Sequence, residues 1–302
     1  MTRTVRALLA YGVERFESAG LSYGHGTQNA LDEAAWLILH SLGLPLDELN
    51  PHLDEALTDA QYRAAKSLLD LRVRSRKPAA YLTHEAWLGP HRFYVDERVI
   101  VPRSFISELL RDQRLTLRGQ TPGDTLSTAV LRGLAPSAVL DLCTGSGCLA
   151  ILAALAWPRA KVDGADLSAD ALAVAKRNVA DYKLARRVRL VKSDLFSALA
   201  TRKYDLIISN PPYVKASSMR KLPDEYRKEP DMALASGTDG LEHTRRILAK
   251  AKEHLNPGGT LVVEIGHNRA SLERAYPNLP FEWPAVSAGS GYVFSLTREQ
   301  LP

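Results

Sequence analysis

The stretch that decides the fold runs from Val139 to Ile151 and reads VLDLCTGSGCLAI. Val139, Leu140 and Leu142 surround one acid, Asp141, as in a buried strand that delivers a carboxylate at its end. Gly145 and Gly147 then mark a tight turn, where backbone needs φ > 0 or close approach, and a helix is expected from Cys148. Strand, glycine turn and helix form the first half of a βαβ unit. The pattern continues C-terminally, with strands expected near Val162, Val188, Tyr204 and Thr260, separated by helical stretches. That alternation predicts an α/β fold with a mostly parallel, Rossmann-like sheet covered by helices on both faces. The last runs, FEWPAV and YVFSLT, are short, β-prone and joined by SAGSG, so the sheet is expected to end in an antiparallel hairpin.

Toward the N-terminus the texture is helical. Val5, Leu8, Leu9 and Val13, then Leu31, Ala34, Ala35, Ile38 and Leu39, recur at helical spacing. Thr58 and Gln61 have capping-box spacing, and Arg72, Arg74 and Arg76 suit the C-terminus of the helix they open. Trp87-Leu88, Gly89-Pro90 and Phe93 to Val101 suggest a β-hairpin, after which Ser104 is placed to cap a helix burying Phe105, Ile106, Leu109 and Leu110. The expected domains are residues 1–84, helical; 85–104, a hairpin linker; and 105–302, the α/β domain, with a loop over 115–127.

Among the 302 residues, 45% are hydrophobic and 24% charged, ordinary values for a globular protein. No apolar run approaches the ~20 residues that span a bilayer. The amphipathic start carries Glu14 and Glu17 and no cleavage pattern, so it reads as a first helix and not as an export signal. Two cysteines, Cys143 and Cys148, are too few for a disulfide scaffold or zinc site, which points to a reducing, cytoplasmic setting. Histidines show no metal spacing. Residues 1–136 are charge-neutral, so the whole formal excess of +5 lies beyond them, at Lys183 to Lys192 and Lys215 to Lys228. Such clusters are usually solvated faces; they also suit a phosphate-rich partner.

The glycine turn matches Gly-x-Gly-x-x-Ala, a weak motif that keeps a dinucleotide dehydrogenase in view. Asp166, 19 residues past Gly147, ends the next strand where a carboxylate grips ribose hydroxyls in either cofactor class. Asp194 and Leu195 end the third strand, suited to an adenine amino group and ring. Asp141, four residues before Gly145, separates the classes. Asp-x-x-x-Gly-x-Gly resembles the pattern of S-adenosylmethionine methyltransferases, whose cofactor lacks phosphate and carries an ammonium that needs acceptors. Cys143, Thr144, Ser146 and Leu167, with Asn210 at the end of the fourth strand, complete the candidate cofactor residues.

The fourth strand ends in ISNPPYV, residues 208–214. A Pro-Pro pair usually means only a stiff turn. At this place in a methyltransferase sheet, however, Asn210-Pro211-Pro212-Tyr213 suits a planar nitrogen nucleophile. Asn210 accepts one N–H, the Ser209 or Pro211 carbonyl accepts another, the prolines stiffen the backbone, and Tyr213 offers a flat face. Glu264, at the end of a later strand, reads as an ordinary structural acid, with reach into the pocket as the alternative.

These motifs, with VIVPRSFISELL and NPPYVKASSMRKLPDEYRKEPDMALASGTDGL, resemble the bacterial HemK-like protein-glutamine methyltransferases over almost the whole chain. The resemblance implies a class I S-adenosylmethionine methyltransferase domain, a helical N-terminal domain that recognises substrate, and methylation of a glutamine side-chain amide. Pro102-Arg103-Ser104, Asp141 to Gly145, and Leu222 to Tyr226 are similar to the branch acting on ribosomal large-subunit protein three, with the release-factor branch of the same class as the alternative. Its partner would then be that protein, within a ribosome precursor with nearby RNA, and no membrane. A nucleic-acid adenine methyltransferase shares the tetrapeptide, and a non-enzymatic assembly factor is a third reading. The neutral N-terminal segment lacks the basic and aromatic clusters that flipping out a base requires.

Overall fold

The computed structural model describes residues 3–117, 131 and 133–302. Most of the loop expected over 115–127 lies outside the described residues. The chain divides into two compact units: Met1–Glu97 with Val101–Arg103 and Leu222–Glu229, and Arg98–Ile100 with Ser104–Lys221 and Pro230–Pro302. Where the sequence suggests a hairpin linker between domains, the hairpin falls in the first unit.

The first unit holds α1 (Val5–Ser18), α2 (Ala30–Leu42), α3 (Leu49–His52), α4 (Asp59–Ser75), α5 (Ala79–Thr83) and the hairpin β1 (Ala86–Leu88) and β2 (His91–Phe93). Its core joins Val5, Leu8 and Phe16 of α1 to Ala34, Leu37 and Ile38 of α2 and Leu69 of α4. Leu31, expected inward, is half exposed, because it lies about 100° round the helix from Ala30, which begins the buried stripe. Thr58 and Gln61 form the expected capping box.

Arg72 departs from expectation. It does not serve the helix end in solvent but is fully buried, its Nε donating to Glu33 Oε1 at 2.5 Å. Its Nη1 lies 3.5 Å from Glu225, and Arg76 Nη2 lies 3.0 Å from the same carboxylate. Glu225 comes from the run LPDEY, so that run is an anchor within the first unit. Nearby, Arg103 grips Glu229 with two nitrogens at 2.5 and 2.6 Å, and the Tyr226 ring lies 4.2 Å from that of His25.

The second unit holds α6 (Ile106–Leu117), β3 (Ala138–Leu142), α7 (Cys148–Ala156), β4 (Lys161–Asp166), α8 (Ala169–Asp181), β5 (Val188–Lys192), β6 (Tyr204–Ser209), α9 (Ala216–Met219), α10 (Glu242–His254), β7 (Leu255–Glu264), α11 (Arg269–Ala275), β8 (Ala285–Val286), β9 (Gly289–Ser290) and β10 (Val293–Thr297). Among the described residues six strands form one sheet in the order β10-β7-β6-β3-β4-β5, parallel except for β10. The expected terminal hairpin reduces to that one antiparallel strand. FEWPAV adds only a bridge from Glu282 to Ser295 before β8 pairs with β9. Pro284 lacks the N–H to continue a ladder, and Phe281 and Trp283 pack on Phe294.

The sheet grows from β3 through β4 to β5, then returns to place β6 on the other side of β3. Right-handed crossovers then put α7 and α8 on one face and α10 on the opposite one. The reversal lies between β3 and β6, the position where open α/β sheets bind ligands outside their strand ends. Asp141 pairs with Ile208 and Leu142 with Ser209, so the loops after both strands leave at one level.

Candidate active site

At the end of β3 the backbone takes left-handed angles at Cys143 (φ 58°), Gly145 (53°) and Gly147 (79°). A Cβ on Gly147 would stand 3.0 Å from that of Ala175 in α8, so glycine serves both the angle and the packing. Asp141 sits behind this loop, fully buried. Its Oδ2 accepts from the Thr144 hydroxyl at 2.5 Å and from the Ala150 N–H at 3.0 Å, while Oδ1 has no partner. Burial pushes its pKa up to about 7, against the opposing pull of those two donors. Asp166 ends β4 and ties down the same loop. It accepts from Gly145 N–H at 2.8 Å and from Ser168 N–H at 2.9 Å, and burial raises its pKa too.

A cleft of about 710 Å³, counted with its open mouth, lies at this edge within the second unit. Cys143, Gly145, Asp166, Leu167, Asp194, Leu195, Asn210 and Pro212 line it, so eight of the candidate residues meet there. Asp141, Thr144, Ser146, Gly147, Pro211 and Tyr213 are not on its wall. Thr144 and Ser146 hold the loop instead, through Asp141 and through an Asn178 side chain that donates to the Ser146 carbonyl at 2.8 Å. Asp194 receives Arg246 Nη2 on one oxygen at 2.7 Å. Residues that the motifs do not point to also line the cleft, among them Val99, Ile100, Met232 and His243. Val99 and Ile100 lie in the run VIVPRSFISELL, which by itself gives them no cofactor role, and His243 stands in no recognisable spacing. Burial raises both thiols, Cys148 to about 12, which disfavours the thiolate form at either position.

Asn210 follows β6 directly. Ser209 before it is pinned, its hydroxyl donating to the Leu142 carbonyl at 2.9 Å. Asn210 lines the cleft, and its side-chain oxygen is buried with no hydrogen-bond partner. Such an atom costs about 1–3 kcal/mol unless a ligand or water satisfies it.

The sheet, the glycine turn and the row of carboxylates define a class I methyltransferase. The family described as Methyltransferase small domain matches residues 123–225, and that described as PrmC N-terminal domain matches residues 7–83. A ribosomal protein uL3 glutamine methyltransferase of Neisseria meningitidis serogroup B is 54% identical over 99% of this chain and 94% of its own. Proteins so named from Burkholderia pseudomallei and Bordetella pertussis are 52% and 50% identical, each over 99% of this chain and 96% of their own. The chain belongs to the family of ribosomal protein uL3 glutamine methyltransferases.

It is a methyltransferase whose methyl donor is S-adenosylmethionine. The cleft fits that group. Asp166 and Asp194 stand at successive strand ends for polar contacts, and Leu167 and Met232, each 51% exposed, offer apolar surface for a ring to cover.

Proposed function

We propose that this protein methylates the side-chain amide nitrogen of a glutamine in ribosomal protein uL3, large-subunit protein three. The observation that carries the reading is the buried, unpartnered side-chain oxygen of Asn210, a residue that lines the cleft. An amide nitrogen is a poor nucleophile because its lone pair is delocalised into the carbonyl. Asn210 Oδ1, by accepting one N–H, draws density toward nitrogen and fixes its direction. Pro211 and Pro212, both buried, keep the backbone beside it stiff. S-adenosylmethionine supplies a methyl group on a positively charged sulfur. Asp166 is assigned to its ribose, Asp194 and Leu195 to its adenine, and the 143–147 loop to its amino-acid tail. Asp141 acts on that tail through the loop it braces. After transfer the nitrogen gives its surplus proton to solvent.

The names of relatives that match nearly end to end support uL3 as the substrate. We assign the first unit, with Trp87 41% exposed on β1, to gripping uL3 around the glutamine. Such a substrate supports a cytoplasmic location; among the described residues no helix is long and apolar enough to cross a membrane. The basic residues from Lys183 to Lys192 support an encounter with uL3 beside RNA in a ribosome precursor. Arg187 is partly buried and donates to the Ala154 carbonyl, while Arg189 is exposed but paired with Asp163 at 2.7 Å; Lys183, Arg186 and Lys192 are exposed as well.

The test is in-vitro transfer of a labelled methyl group to purified uL3 and to release factors. Label should enter uL3, and Asn210→Ala should lower turnover on the order of a hundredfold, the usual effect of losing one positioned partner. S-adenosylhomocysteine affinity should stay within about twofold, since Asn210 is assigned to the amide nucleophile. Label in release factors alone, or near-normal turnover by the variant, would overturn the proposal.

A further inference from the structure

Glu264 closes β7 with a carboxylate that is only 1% exposed. Its Oε2 accepts from the Ser104 hydroxyl at 2.6 Å and from the Phe105 N–H at 2.9 Å. Its Oε1 faces the Tyr213 hydroxyl at 3.5 Å, the long end of a hydrogen bond. Burying a carboxylate is costly unless donors converge on it. Here they come from the segment before α6 and from the aromatic residue after Pro212, 160 and 51 positions away in sequence.

Tyr213 is confined at its other end as well. Asn268 Nδ2 donates to its carbonyl at 2.8 Å. A Cβ on Gly240 would stand 2.5 Å from that carbonyl oxygen, and one on Gly266 would stand 2.7 Å from the ring. Both glycines hold positive φ, 79° and 54°. The backbone and one side of the ring are therefore set by close packing, and the hydroxyl end points at Glu264.

We propose that Glu264 is a positioning residue for methyl transfer. Held by Ser104 and the Phe105 N–H, it fixes the tilt of the Tyr213 ring and so the plane on which the target amide lies. This rests on the function proposed above and adds to it the role the tetrapeptide suggests for Tyr213, a flat face against the amide. A rotated ring would leave the cofactor side of the cleft untouched and misdirect only the nucleophile.

The test pairs kinetics with a readout independent of substrate. In protein with 13C-labelled tyrosine rings, the Tyr213 resonance, assigned through Tyr213→Phe, should shift or broaden in Glu264→Gln. In the uL3 assay Glu264→Gln should lower kcat roughly tenfold or more, as small misorientations do, with S-adenosylhomocysteine affinity within about twofold. Adding Tyr213→Phe should cost little further, because the two act as one unit. Glu264→Asp should recover less than half of the lost kcat, since the carboxylate stands one methylene short. Ser104→Ala, which removes one donor and keeps the carboxylate, should show the same resonance change in smaller measure and serves if Glu264→Gln folds poorly. An unshifted Tyr213 signal in a folded variant, or losses that multiply in the double variant, would overturn the proposal. A wild type that leaves uL3 unmethylated would sink the functional reading, and the resonance would still decide the role of Glu264.

Discussion

Asp141 and Asp166 end neighbouring strands, yet their surroundings give them different work. Asp166 lies on the cleft wall and spends one lone pair of each oxygen on loop amides. Asp166→Ala should weaken S-adenosylhomocysteine binding by roughly 2 kcal/mol, the order of lost charge-assisted bonds; calorimetric titration checks this, and unchanged affinity would remove its assigned role. Asp141 braces the loop from behind, with a pKa of about 7 in the fold against an ordinary 3.8. The folded protein therefore binds this proton more tightly than the unfolded chain. The stability gained is complete below the unfolded pKa, declines as pH rises toward 7, and is gone above it. Asp141→Asn cannot titrate, so urea unfolding of wild type minus variant should show this slope between about pH 4 and 7. A difference flat across that window would contradict the burial argument. A carboxylate at a strand end is readable from sequence; whether it faces a ligand or the back of a loop is not, because both need the same residue type.

The element whose role differs most from expectation is the segment 222–229. Its leucine, proline and acids mark a family branch in sequence, but in the fold Glu225 is fully buried against Arg72 and Arg76, and Glu229 lies under Arg103. Burial would raise the Glu229 pKa; the charge and hydrogen bonds of Arg103, with help from His25, outweigh it and hold it at about 2. Its contribution to stability is thus present above the ordinary 4.5 and is lost as pH falls toward 2. Removing one member of the other cluster should be severe. Arg72→Leu strands Glu33 without its cation and leaves Glu225 to Arg76 alone, and should cost about 3–5 kcal/mol, whereas replacing Arg72, Glu33 and Glu225 by apolar residues should restore much of it. Urea unfolding measures both; a single variant within 1 kcal/mol of wild type would show that the cluster is not an anchor. Periodicity betrays amphipathic helices such as α1, but ion pairs between residues 39 and 153 positions apart leave no local signature.

Across the whole molecule, the parts legible beforehand are those whose physics is local. Strand, glycine turn and helix at 139–151, the alternation that follows, and NPPY at the end of β6 each need particular residues at fixed spacing, and the structure brings Asn210 beside the Cys143 loop through the β3–β6 register. The terminal hairpin is less so, because Pro284 and the packing of Phe281 and Trp283 override β propensity. The lining residues Met232 and His243 reach the cleft by tertiary folding alone. Specificity for uL3 belongs to this scale too, since the eight candidate residues on the cleft wall are assigned to the donor or the amide and none of them to the protein around the glutamine. Peptide mass spectrometry of uL3 from cells lacking this protein, and from such cells carrying wild type or Asn210→Ala, tests the central claim most directly. One glutamine of uL3 should lose its methyl group in the deletion, regain it with wild type, and stay bare with the variant; unchanged methylation of uL3, with loss from release factors instead, would contradict the account.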